Sequence, residues 1–246
     1  MDISRVFIHL KGHMSYDIKQ MTEKPLIIEF VGLPGCGKST VVESILPILQ
    51  NEKVIITRSD FSRTIGIMRR YPILAPFVTM YYLTKPKYRE LKSNLFRFAL
   101  QFPIKKQGLI YVVYVIVLYE LIQKNINRSK IIILDEGIIQ FLSSIPHDIS
   151  IDNNILLHNL VLNLKSVLGY FLFVECDLSI ETVIERIKKR NRQDRFSHDN
   201  NNIRSLLLTK KNNLNLLTNE IAMQKIQIDM SNPVDFNVNI ILKSFL

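Results

Sequence analysis

Eight consecutive residues carry the strongest chemical signal in this chain of 246: Gly32-Leu33-Pro34-Gly35-Cys36-Gly37-Lys38-Ser39, followed by Thr40. The spacing is that of a loop built to hold phosphate. Its glycines let the backbone turn with amides pointing inward, and those amides join the positive end of a following helix to cradle phosphate oxygens. A lysine at the sixth step after the first glycine can reach the terminal phosphates of a nucleoside triphosphate. The next hydroxyl, Ser39, can occupy one position on magnesium. A short apolar run before the loop and a helical pattern after it supply the context this motif requires. Gly32, Leu33, Pro34, Gly35, Cys36, Gly37, Lys38, Ser39 and Thr40 are therefore the expected nucleotide-binding residues, with ATP and Mg2+ as cofactors.

A second cluster lies at Ile131-Ile132-Ile133-Leu134-Asp135-Glu136-Gly137, where an apolar strand delivers carboxylates at its C-terminal end. In an open parallel sheet that end is where ligands bind. Asp135 is the expected partner of Ser39 on the metal, and Glu136 a candidate to orient or deprotonate a nucleophile. A third cluster runs from Glu185 through Arg186, Lys188, Lys189, Arg190, Arg192 and Asp194 to Arg195-Phe196. Cations suit a helix C-terminus in any protein. Here Arg190, Arg192 and Arg195 also suit a lid that closes over a transferring phosphoryl group and stabilises its charge.

The elements that must hold these groups follow from hydrophobic periodicity. Strands are expected at 26–31, 54–57, 131–134, 170–174 and 226–228. Each is a short apolar run separated from the next by helical spacing, the pattern of a parallel sheet covered on both faces. Helices are expected at 38–49, 180–190, 203–223 and 234–246. Residues 1–24 form an N-terminal extension before a domain spanning 25–246. Between the second and third strands lie roughly seventy residues, far more than one crossover helix needs, and Pro72, Pro76, Pro86 and Pro103 divide them. A helical lobe over one end of the sheet, at about 60–127, is the expected result.

Composition narrows the partners. Lys and Arg number 32 against 22 Asp and Glu, a formal charge of +10. Fourteen of the basic residues and only three acids fall between Arg58 and Lys130, so this stretch holds the whole surplus. It also holds the most apolar run of the chain, an uncharged window of thirteen residues between Lys106 and Glu120. A membrane span needs about 20, so a buried helix or strand is expected there. Arg58, Asp60, Arg69 and Arg70 are the residues expected to face the acceptor. The same basic, apolar stretch leaves peripheral membrane contact as the competing use, nucleic acid is disfavoured as a partner, and a homodimer is left open. Cys36 and Cys176 give neither a framework of bridges nor metal-ligand spacing, and a reducing cytoplasm is the expected location. His147, His158 and His198 lack ligand spacing.

The order of phosphate loop, strand-end Asp, Arg-rich lid and final strand resembles the nucleoside monophosphate kinase group of P-loop proteins, its thymidylate kinase branch above all. Thr57-Arg58-Ser59-Asp60 is similar to the motif ending that branch's second strand. Glu185 to Arg190 and Asp194-Arg195-Phe196 are similar to its lid helix and lid. Ile228-Asp229 and Ser231-Asn232-Pro233 are similar to its last strand and adenine-side loop. The resemblance implies a three-layer α/β sandwich with a five-stranded parallel sheet, transfer of the ATP terminal phosphoryl group to a small acceptor, and Asn232 and Pro233 beside the base. Catalytic roles would fall to Lys38, Asp60 or Glu136, and the lid arginines. One departure changes the substrate. Where the branch has Asp-Arg after the third strand, this chain has Asp135-Glu136, and a carboxylate in place of a phosphate clamp favours a neutral alcohol over a monophosphate. The adjacent acids also suit a second class, an NTP-hydrolysing switch in which Glu136 polarises water and the basic stretch binds a partner.

Overall fold

A computed structural model describes residues 26–49, 80–81, 84, 89–102, 106–125, 131–146, 151, 155–168, 170–189, 202–221 and 224–245. Four strands form one sheet: β1 (Leu26–Gly32), β2 (Ile131–Leu134), β3 (Tyr170–Asp177) and β4 (Gln224–Asp229). Their order is β2-β1-β3-β4, with every pairing parallel. The strand expected at 54–57, which would make a fifth, lies outside the described residues, as do residues 1–24.

Side chains alternate across the strands, and the alternation explains the layers. Ile27 and Val31 of β1, Ile132 and Leu134 of β2, and Phe171 and Phe173 of β3 point into one core. Ile28 and Phe30, Ile131 and Ile133, and Leu172, Val174 and Cys176 point into the other. Because both faces are buried, β1, β2 and the first part of β3 are apolar at nearly every position. The one charged exception on β1 is Glu29, fully buried at 0% exposure.

The second core is closed by α1 (Lys38–Leu49), α6 (Ile180–Lys189), α8 (Val234–Phe245) and the start of α7 (Ile203–Ile221). Helix α1 buries Val41, Val42, Ile45 and Leu49, the i, i+4, i+8 stripe of an amphipathic helix. Ser179 starts α6 as its cap, its hydroxyl accepting the Thr182 amide at 3.2 Å. The first core is closed by α2 (Arg89–Leu100), α3 (Lys106–Asn125), α4 (Ile138–Leu142), α5 (Ile155–Leu168) and the far half of α7.

The apolar run ahead of Glu120 is a helix buried all round: every residue from Val112 to Tyr119 is at most 3% exposed. No helix among the described residues is long and apolar enough to cross a membrane. Helices α2 and α3 share a core with the sheet face, touching the same cluster as Ile27, Val31 and Phe171. Helices α4 and α5 were not marked in the sequence.

Candidate active site

The loop after β1 takes the shape its glycines allow. Gly35 and Gly37 have φ of 84° and 110°, in the region that side chains with a Cβ avoid. At Gly37 space is short as well, since a Cβ would lie 3.0 Å from the Met230 Cε. The loop closes with the Cys36 amide on the Leu33 carbonyl at 3.3 Å and the Thr40 amide on the Gly37 carbonyl at 3.1 Å. Helix α1 then begins at Lys38, with its first-turn amides and its positive end facing the loop.

Lys38 is buried, and its Nζ donates to the Gly32 carbonyl at 2.9 Å and the Leu33 carbonyl at 3.1 Å. The ammonium thus lies over the loop, within a side-chain swing of any anion the loop amides hold. Ser39 is the next residue, and its hydroxyl donates to Asp135 Oδ2 at 2.9 Å. Residues 96 apart in sequence are brought together by the β1–β2 pairing, which places the end of β2 beside the start of α1. Hydroxyl and carboxylate are hard oxygen donors, and with phosphate oxygens and water they fit magnesium, which is held by few protein ligands.

Glu136 follows Asp135 in the same turn and is half-buried. Beneath that turn lies Glu29. Gly137 packs so closely on its carboxyl group that a Cβ would sit 2.3 Å from Glu29 Cδ. The Gln140 amide donates to Glu29 Oε1 at 3.0 Å, and the Gln140 side-chain oxygen accepts the Gly32 amide at 3.4 Å. Burial pushes the Glu29 carboxyl up to about 8, against the opposing pull of the Gln140, Ile139 and Ile138 amides. Glu29 is therefore a protonated acid at neutral pH. It joins the turn after β2 to the first residue of the phosphate loop.

From the other side Arg186 of α6 reaches the loop, its Nη1 donating to the Cys36 carbonyl at 3.0 Å. Asn232 and Pro233 lie in the turn after β4, beside Met230, whose side chain meets Gly37. That turn is fixed by Asp229, which accepts the Ser231 amide at 2.8 Å and hydroxyl at 2.7 Å. Those two bonds, the amide first, hold its carboxyl below the usual range. Arg58, Asp60, Arg69, Arg70, Arg190, Arg192 and Arg195 lie outside the described residues. His158 is on the surface, 3.7 Å from Glu220.

Three residues take roles at this site that the sequence did not assign. Arg186 had a usable signal, since it precedes Arg190 by one helical turn and so shares its face. Glu29 had one too, as a lone acid inside an otherwise apolar strand. Gln140 had none.

No family model matches the sequence, and no curated protein matches it. Solved structures do. A deoxyadenosine kinase from M. mycoides with dCMP and a flexible dCDP bound is 16% identical, with a TM-score of 0.51 over 89% of this chain and 97% of that one. The same kinase with dCTP is 17% identical, and with dATP 16%, both with a TM-score of 0.51 and the same coverage. The chain shares the fold of that kinase structure, with helices packed on a parallel sheet.

Proposed function

We propose that this protein transfers the terminal phosphoryl group of ATP to a hydroxyl of a small acceptor, in the manner of a nucleoside kinase. The observation that carries the reading is the 2.9 Å contact of Ser39 with Asp135 beside Lys38 and the glycine loop. It combines a phosphate cradle with a hard-oxygen metal site at the C-terminal ends of parallel strands. The likeness to a deoxyadenosine kinase supports the choice of a nucleoside as acceptor class.

Phosphoryl transfer is mainly positioning and electrostatics. The loop amides and the α1 N-terminus would hold the phosphates, and Lys38 would exchange two neutral carbonyls for a charged oxygen. Ser39 and Asp135 would hold magnesium, which would neutralise negative charge on the phosphates. Arg186 is anchored on the loop, and Arg190, Arg192 and Arg195 follow it in sequence to gather charge on the moving group. Arg58, Asp60, Arg69 and Arg70 would face the acceptor, with Asp60 or Glu136 taking the hydroxyl proton. Asn232 and Pro233 would lie beside the adenine.

A second reading, nucleotide hydrolysis as a switch, is favoured by Glu136 standing next to Asp135 in a turn braced from below by Glu29. One assay separates the two. Purified protein with Mg-ATP is offered pooled nucleosides, nucleotides and sugars while ADP release is followed. Little release alone and marked stimulation by one acceptor is the expected result, since such sites exclude water until the acceptor arrives. Steady, acceptor-independent hydrolysis that collapses in Glu136→Gln would instead establish the switch.

A further inference from the structure

The chain has two cysteines, and the fold brings them together under the phosphate loop. Gly32 and Cys176 are register partners on β1 and β3. A Cβ placed on Gly32 would lie 3.1 Å from Cys36 Sγ and 3.2 Å from Cys176 Cβ, so both side chains crowd one point. Cys176 Sγ donates to the Val174 carbonyl at 3.9 Å, on the strand beside the loop. Both are free and buried. Lys38 Nζ lies 3.7 Å from Cys36 Sγ. Core packing accounts for a small apolar residue at either position. It does not account for two thiols facing each other with an ammonium over one of them.

The neighbouring Cys176 thiol, and after it the Lys38 charge, hold the Cys36 thiol down at about 6, whereas its partner and burial push Cys176 up. With the Lys38 ammonium 3.7 Å from Cys36 Sγ, Cys36 is the better placed of the two to attack and Cys176 to resolve. We propose that hydrogen peroxide converts Cys36 and Cys176 to a reversible disulfide that disables the phosphate loop. The Cys36 thiolate attacks one peroxide oxygen, the O–O bond breaks, and the departing hydroxide takes a proton and leaves as water. Cys36 is then a sulfenic acid. The Cys176 sulfur attacks the Cys36 sulfur, the S–O bond breaks, and the departing hydroxide takes the Cys176 proton. Two thiols and one peroxide become one disulfide and two waters, with the two electrons passing from sulfur to oxygen. A small dithiol reverses it.

The consequence for the loop rests on the reading of Gly32–Thr40 as a nucleotide site. A disulfide holds its sulfurs about 2.05 Å apart, well inside the contact distance of two unbonded sulfur atoms. Closing it draws Cys36 toward β3 and shifts amides that must face phosphate. Misplacement by about 1 Å can cost on the order of a hundredfold in such a site. By linkage, bound nucleotide must oppose the disulfide by the same factor that the disulfide weakens the nucleotide.

The test uses the full chain, treated with hydrogen peroxide with and without Mg-ATP. Intact mass, non-reducing peptide mapping and ATP-dependent thermal stabilisation are then read. The expected result is a loss of about 2 Da with one linked Cys36–Cys176 peptide, where oxygen adducts would instead add about 16 Da each. Dithiothreitol should reverse it, Mg-ATP should slow it, and the oxidised form should bind ATP at least about tenfold more weakly. Cys176→Ala should bind ATP when reduced, show no link and gain oxygen adducts instead. Oxygen adducts without a linked peptide in the parent protein would overturn the proposal, whether or not the variant folds. A linked form that binds ATP as well as the reduced form would overturn the switch. Reduced protein that ignores ATP would sink the nucleotide reading, while the mass loss still decides the disulfide.

Discussion

The two faces of the sheet bury similar apolar side chains but treat charge differently. On the face covered by α1, α6 and α8, the site's polar groups stand above the core: Lys38, Arg186 and Asp229 all act at strand ends, with Met230 and Ile187 sealing beneath them. On the face covered by α2 to α5, polar groups lie inside. Glu29, Lys92, Glu120 and Gln140 are each at most 7% exposed. The first arrangement places charge where a ligand can share it. The second places charge inside the core, and a buried acid of that kind persists only where it holds something in place. Glu29 holds the turn that carries Asp135.

The sharpest way to break this contrast is at Lys38. Lys38→Ala should abolish ATP-dependent thermal stabilisation while the apoprotein still melts cooperatively. A ligand at about 100 times its Kd adds about 2.7 kcal/mol to stability, so the loss is plainly readable in a melting scan. Unchanged ATP stabilisation in the folded variant would remove the nucleotide site from the upper side of the sheet.

Glu29 tests the other face, and here the variable is pH. Its carboxyl, ordinarily near 4.5, is raised to about 8 by burial. Stability from a raised acid is fully present below the unfolded value and is lost as pH rises through the folded one. Parent protein should therefore weaken from about pH 4.5 to pH 8 by a few kcal/mol. Glu29→Gln keeps the shape and a donor but cannot ionise, so that slope should flatten. Cys36 titrates in the same range and is common to both proteins, so the difference between the two profiles isolates Glu29. Parallel profiles would mean the acid is not buried neutral and does not brace the turn.

These experiments also mark how far the sequence could be read. The loop from Gly32 to Thr40 was legible because its chemistry is local: nine consecutive residues supply turn, amides, ammonium and hydroxyl. The strands at 26–32 and 131–134 were legible for a related reason, since burial on both faces leaves an apolar run. Helix α3 was only half legible. A run buried all round has no polar face to mark its period, so helix and strand read alike until its length is known. Helix α4 is five residues long, too short for any period to show. The bracing of Gly32 by Gln140 depends on a side chain 108 residues away, and no spacing rule reaches that far.

Arg186 offers the smallest and most discriminating effect. Its guanidinium donates to the Cys36 carbonyl at 3.0 Å and lies beside Gly37, while its Cβ lies against Gly35. Losing it removes one charge-assisted hydrogen bond, worth roughly 1.5–3 kcal/mol where the partner is buried and less where water can replace it. Arg186→Ala should leave the fold in place and weaken ATP by about three- to tenfold, far short of the Lys38 effect. Arg186→Lys keeps the charge but loses the planar fork. If Arg186 steers phosphate through its charge alone, the lysine variant should recover most of the loss. If it acts by fixing the Cys36 carbonyl in one geometry, lysine should recover little, and the loop amides should exchange faster with solvent deuterium in both variants. Arg186 would then belong with Glu29 among the residues that hold the loop, and the division of labour between the two faces would have to be redrawn along the strand ends.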